Sequence, residues 1–484
     1  MNVKVISRNV GYALLVSALF MFLSVLVSVA NGNDSALAAL MISFTITFTV
    51  GIFPFIFVRK SAAITLKDGY MIIALSWLLS FIFGMLPYAL WGGPFTIINA
   101  WFESVSGFTT TGFSILDNVE ALPNSLLFWR SSTHFIGGLG VVVFLLLIIP
   151  SSSQMRLRLT SLELSSLSKR EYRSGANRTV YIFTYVYIGL VFVSFVLYML
   201  AGMSPFDAIN HAMSVVATGG FSTRNHSIGY FDSLPIYLIT MVFMLLSSVH
   251  FGMVFMAFAT RSFKPFKNEI FKFYLSAMVV ASVIVAMSLR VHGIENSWGD
   301  ALLSGSFHIL SFASTTGFSI ADNSTWPVLP SAMLLLMAIC CGMAGSTTGG
   351  VKADRVLLLC KEIKYQLRMS LHPASVNDAR VNGRVVRQED IAPHILYIAL
   401  YFMVVAISMA ACLVFNPDNT HALTATITSL SNVGICVGDL GSMSSFNAEP
   451  TSAKFLYSID MFLGRVEIYP ILAVVMMIFS RRNK

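Results

Sequence analysis

Charge is scarce in this 484-residue chain: Asp, Glu, Lys and Arg make up 11% of it, where a soluble domain carries about a quarter. So little polar side chain cannot cover several soluble domains, although the length alone would accommodate about three or four. Cysteine is scarce too. The five copies, at 340, 341, 360, 412 and 436, repeat no ligand spacing, which excludes a disulfide framework or a zinc site of familiar pattern. Also missing are a His-Glu-x-x-His run, a Ser/His pair and paired aspartates at useful positions within apolar runs, so no hydrolase is indicated and the chain is not expected to be an enzyme. What is abundant is apolar sequence, at 56% of residues and a mean hydropathy of +0.75. The expected fold class is an all-α polytopic membrane protein.

Long apolar runs lie near 11–30, 36–57, 70–90, 126–149, 180–202, 235–258, 270–290, 330–350, 393–415 and 456–479. Each approaches the length needed to cross hydrocarbon as a helix, giving ten expected spans. The first follows Lys4 and Arg8 like a signal peptide, but at about twenty residues it exceeds a usual signal core and is read as a retained span. Shorter segments near 97–107, 206–216, 300–312 and 421–431 cannot cross and suit re-entrant or interfacial helices. The two tails and segments 58–69, 150–179, 259–272 and 352–392 hold 26 of the 31 Lys and Arg residues, so the positive-inside rule puts both termini in the cytoplasm. The net charge of +8 follows this topology and does not call for nucleic acid. Twelve carboxylates, Glu103, Asp117 and Asp207 among them, fall on the other side and predict a negative outer mouth that concentrates cations.

A span, a short segment, a glycine motif and a second span recur four times. The motifs end in Thr110-Thr111-Gly112, Thr218-Gly219-Gly220, Thr315-Thr316-Gly317 and Asn432-Val433-Gly434. Three continue Phe-Ser, and the fourth diverges to Ile435-Cys436. None of the four contains a charge. Non-helical backbone at membrane depth is tolerated only when buried in protein or lining water. Glycine lets carbonyls turn toward an axis, the preceding helix presents its negative end to a cation, and rings of carbonyl oxygens can replace a hydration shell. These twelve residues are the expected cation-contacting set.

Two further features stand out. The run Gly345-Ser346-Thr347-Thr348-Gly349-Gly350 should interrupt a span near its inner end; its order does not match a nucleotide-binding phosphate loop. In the last span Arg465 lies among apolar residues and should face protein or a water-filled path. It either bonds to carbonyls of the 345–350 segment, forming a gate, or pairs with a carboxylate as a structural element. His134, His250 and Asp460 are read as packing residues.

With these motifs the whole chain resembles the potassium uptake proteins of the Trk/Ktr/HKT superfamily, specifically the bacterial TrkH/TrkG branch. The resemblance implies two N-terminal helices (1–66) and four pseudo-symmetric span–pore helix–filter–span units around one pore: 67–150, 151–262, 263–365 and 366–484, the second and fourth with their cytoplasmic loops. It makes 345–350 an intramembrane gating loop and Arg465 a pore arginine. It implies a homodimer in a bacterial inner membrane and K⁺, with Rb⁺, taken up into the cytoplasm. It further implies a cytoplasmic ring of nucleotide-binding regulatory subunits, sensing NAD(H) or ATP/ADP in trans. In plant relatives serine at the first filter glycine accompanies sodium transport; Gly112 here favours potassium. Nothing offers a second coupling site, so a gated channel driven by membrane potential is preferred to a K⁺/H⁺ or K⁺/Na⁺ symporter, or to the channel-like subunit of an ATP-driven pump.

Overall fold

The computed structural model describes residues 2–58, 65–147, 176–372, 380–382, 384–386, 388–417 and 419–482. The basic segment 150–179 therefore lies outside the described residues up to 175. Helices dominate. A pair, α1 (Val3–Ala30) and α2 (Leu37–Phe57), precedes the repeats. The two touch where Gly11 faces the Gly51 carbonyl, which an added Cβ would approach to 2.8 Å; small residues permit such backbone approach in lipid. Hydroxyls along α2 bond back to carbonyls one turn earlier, as in Ser43 to Ala39 at 2.7 Å and Thr45 to Met41 at 2.8 Å, which satisfies polar groups where water is absent.

The first repeat comprises α3 (Leu66–Gly84) with its short continuation α4 (Leu86–Trp91), the pore helix α5 (Ile97–Phe108) and the inner helix α6 (Asn124–Leu147). The second comprises α7 (Ala176–Leu200), pore helix α8 (Pro205–Ala217), α9 (Leu234–Ser248) and α10 (Phe251–Thr260). The third comprises α11 (Glu269–Val291), pore helix α12 (Trp298–Ala313) and α13 (Val328–Cys340). A polar helix, α14 (Ala353–Leu371), and a two-residue ribbon of Arg380–Val381 with Arg384–Val385 lead to the fourth. That repeat comprises α15 (Gln388–Phe415), pore helix α16 (Ala422–Ser431), α17 (Thr451–Arg465) and α18 (Ile468–Arg482).

All four short segments expected as pore helices are helices. Three begin on a hydroxyl cap that accepts a backbone N–H three residues on: Thr96 from Asn99, Ser204 from Asp207 and Ser297 from Asp300, at 3.0–3.3 Å. The fourth starts after His421 without a side-chain cap, consistent with its diverged sequence.

Two inner helices differ from the expected continuous spans: the 235–258 span is bent by 106° between α9 and α10 and the 456–479 span by 107° between α17 and α18. The interruption expected in the 330–350 span is present, with α13 stopping at Cys340 before a non-helical run to Lys352. Among the described residues six helices are long and apolar enough to cross a membrane, or eight if each bent pair counts as one. The other two expected spans correspond to the 24-residue α6 and the 13-residue α13.

Candidate functional site: an axis ringed by four glycine strands

The four pore helices end alike. In each, the residue two before the motif glycine is left-handed: Thr110 (φ 53°), Thr218 (56°), Thr315 (53°) and Asn432 (56°). Its N–H and the next one return to the last helical turn. Thr110 N–H bonds to Gly107 O at 3.0 Å and Thr111 N–H to Ser106 O at 2.9 Å. The same pair of bonds closes Thr218/Gly219, Thr315/Thr316 and Asn432/Val433. This is the Schellman ending, normally made with glycine; for β-branched threonine it is a strained conformation of the kind that gathers at functional sites. The strand then turns outward through Gly112, Gly220, Gly317 and Gly434, at φ 96°, 83°, 73° and 79°.

The four strands surround a single axis. A Cβ on Gly112 would lie 2.0 Å from the Gly219 carbonyl oxygen, one on Gly220 2.3 Å from that of Thr316, one on Gly317 2.1 Å from that of Val433, and one on Gly434 1.9 Å from that of Thr111. Each glycine thus abuts the next repeat, and the fourth returns to the first. A partly open cleft of about 100 Å³ is lined by all four.

The cleft is less acidic than the sequence suggested. Glu103 and Asp207, expected among the carboxylates of a negative outer mouth, are buried and paired, with Arg130 and Arg224 respectively, each at 2.8 Å. Asp117, Arg130 and Arg224 all line the cleft. Farther out, Glu449 is half-buried, and burial raises its carboxyl above the ordinary value, with His421, Asn419 and Lys454 opposing.

On the other side of the strands, the run Gly345–Gly350 is non-helical and buried from Ser346 on, and it touches three repeats. Thr347 Oγ1 donates to Val216 O at 3.1 Å, Gly349 N–H donates to Thr315 Oγ1 at 3.2 Å, and a Cβ on Gly349 would lie 2.3 Å from Ser431 O. Arg465 connects the run to the remaining repeat: its guanidinium donates to Thr347 O and, at 3.0 Å, to Gly137 O of α6. Of the two arrangements open for Arg465, the carbonyl-bonded one is observed. Ser346 Oγ donates to Met343 O at 2.6 Å and lies 2.8 Å from Thr348 Oγ1. Gly345 (φ 81°) and Gly350 (φ 67°) supply the turns.

Glu467, in the break after Arg465, pairs with Arg355 at 2.6 Å and Lys352 at 3.4 Å. This cluster was not anticipated from sequence, because Glu467 lies more than a hundred positions from both Lys352 and Arg355. Glu467→Gln leaves two buried cations facing, among the described residues, only the Asp354 carboxylate, a change approaching the roughly 3–5 kcal/mol of a broken buried pair. It should lower the midpoint of thermal unfolding in detergent clearly; an unchanged midpoint would mean the cluster is not closed in the membrane-extracted protein. His134 and His250 pack as expected. His134 stacks on Phe221 with ring centres 4.1 Å apart, and His250 Nδ1 accepts the Gly252 N–H at 3.0 Å.

Four repeats, each ending a short buried helix in a glycine strand and closed around one axis, define a multi-pass helical membrane protein. Residues 36–482 match the TrkH family of cation transport proteins, and the chain belongs to that family. It is 30% identical to the Trk system potassium uptake protein TrkH of Vibrio parahaemolyticus, over 99% of this chain and all of the relative. It is 32% identical to TrkG of Escherichia coli, over 97% of each. The crystal structure of the potassium transporter TrkH from Vibrio parahaemolyticus superposes with a TM-score of 0.87, at 30% identity, covering 98% of both chains.

Proposed function

We propose that this chain is a gated, potassium-selective uptake pathway. Dehydrated K⁺, and Rb⁺ with it, passes along the axis between Thr110–Gly112, Thr218–Gly220, Thr315–Gly317 and Asn432–Gly434. Backbone oxygens take the place of water there. The observation that carries the reading is the closed cycle in which every motif glycine abuts the carbonyl of the next repeat. Relatives named as potassium uptake proteins, aligned over nearly the full chain, identify the ion.

Residues 345–350 and Arg465 form the gate: the run lies inward of the strands, and the arginine adds a positive charge to the path. The membrane potential drives uptake, at about 2.3 kcal/mol per charge per 100 mV. Both termini face the cytoplasm of a bacterial inner membrane, following the distribution of Lys and Arg. The working unit is a homodimer, and its gate answers to a ring of nucleotide-binding subunits on the basic cytoplasmic face. The test is flux in proteoliposomes containing only this chain. K⁺ and Rb⁺ should permeate, Na⁺ and Li⁺ should lag, and current should reverse at the potassium equilibrium potential regardless of pH. Reversal that tracks pH or sodium would replace the channel with a coupled symporter.

A further inference from the structure

Among the described residues the strands that carry the four glycines have no ladder partner, so something behind them must fix their far ends. The position nine residues before each glycine supplies it. In the first three repeats this residue is Glu103, His211 and His308, on successive pore helices. All three are fully buried, and each reaches the segment just beyond its own glycine. Glu103 accepts from Ser114 Oγ at 3.0 Å and from Ile115 N–H at 3.1 Å. His211 Nε2 lies 2.8 Å from Ser222 Oγ, and His308 Nε2 lies 3.1 Å from Ala321 O. His211 is held from the other side, Nδ1 donating to Asp207 O at 2.8 Å while Nε2 accepts from Ser222 Oγ. His308 Nδ1 faces Ser304 O at 2.8 Å, so a neutral His308, with one N–H, shares it between Ser304 O and Ala321 O. Glu103 is held by Arg130, which also reaches Ser222 O at 3.2 Å and covers the Phe221 ring at 4.0 Å, tying the first strand to the second.

The fourth repeat breaks the pattern. Its equivalent residue is Ala425, which has no polar atom to offer. The fourth strand is tied from the neighbouring repeat instead: Asn323 Nδ2 donates to Cys436 O at 3.2 Å. A second, deeper tie lies six residues before the glycine, where Ser106 and Ser311 donate to Phe113 O and Phe318 O at 2.6 Å.

We propose that Glu103, His211 and His308, with Asn323 serving the fourth strand, are positioning residues that set which cation the axis prefers. This rests on the filter reading above. Carbonyl rings discriminate between cations only while their spacing resists collapse or widening, and these ties connect the outer end of each strand to a buried frame. They touch no ion themselves.

The test is the bi-ionic reversal potential of the full chain in bilayers, for His211→Ala, His308→Ala and Asn323→Ala. Glu103→Gln joins them, keeping the shape beside Arg130. Leu310→Met, on the third pore helix, is the control. Each tie variant should lower the K⁺:Na⁺ permeability ratio about fivefold, the size of one lost hydrogen bond, while the control keeps the ratio of the unaltered chain. Reversal potential does not depend on how much protein is active, so a variant that folds poorly is still informative. Smaller currents at an unchanged ratio would overturn the proposal and leave these residues merely structural. If Gly112→Ser shifts the ratio and the tie variants do not, the tie fails and the filter stands; if the unaltered chain does not discriminate at all, the filter reading itself fails.

Discussion

Gly112→Ser should collapse potassium selectivity and admit sodium, with the K⁺:Na⁺ permeability ratio falling tenfold or more, an estimate of about 1.4 kcal/mol or more in relative barrier. The reason is steric before it is chemical. Gly112 sits at φ 96°, and its Cβ would lie 2.0 Å from the Gly219 carbonyl oxygen. That oxygen belongs to backbone, so the clash cannot be relieved by rotating a side chain. The second strand must move off the axis, and a site fitted to one ionic radius loses its fit. Gly434→Ser should act similarly, since its Cβ would meet Thr111 O at 1.9 Å and open the ring from the other side. The measurement is the bi-ionic reversal potential. A serine variant with the same ratio as the unaltered chain would mean that these glycines do not set selectivity.

Arg465→Ala should raise potassium flux about tenfold while leaving the permeability ratio unchanged. The guanidinium holds Thr347 O on the 345–350 run and Gly137 O on α6. Charge-assisted hydrogen bonds of this kind contribute about 1.5–3 kcal/mol each. Removing them frees the 345–350 run from the first repeat and removes a positive charge from the path of a cation. The four glycine strands proposed to set selectivity lie on the other side of this run, so the ratio should persist. Flux from proteoliposomes loaded with equal amounts of protein is the readout. Unchanged or reduced flux would assign Arg465 to scaffolding.

The pore helices were legible because each combines an apolar segment too short to cross with a glycine motif following at once. Local chemistry suffices: a hydroxyl cap at Thr96, Ser204 or Ser297, and a left-handed ending. Even the diverged fourth copy keeps its backbone, because Asn432 adopts the left-handed region more readily than threonine does. The bent inner helices were not legible. No glycine or proline marks Val249–His250, and the break is made by distant backbone: Met343 N–H bonds to Ser248 O at 2.8 Å and Phe251 N–H to Gly345 O at 3.0 Å. The 341–352 run occupies the gap in a helix about a hundred residues earlier, a relation that no local window contains. Glu103 was read as an outer carboxylate because its partner Arg130 lies 27 positions on. A signal was nevertheless present, since extending the glycine alignment nine residues upstream places Glu103, His211 and His308 in one column.

The central claim is that a monovalent cation sheds its water between these four strands. Its most direct test is the structure of the protein determined in rubidium salt, using the anomalous signal of Rb⁺. The expected result is density on the axis, within coordination distance of oxygens from all four motifs, at the level of Gly112, Gly220, Gly317 and Gly434. Rubidium bound only away from that axis, in protein shown to carry Rb⁺ flux, would contradict it.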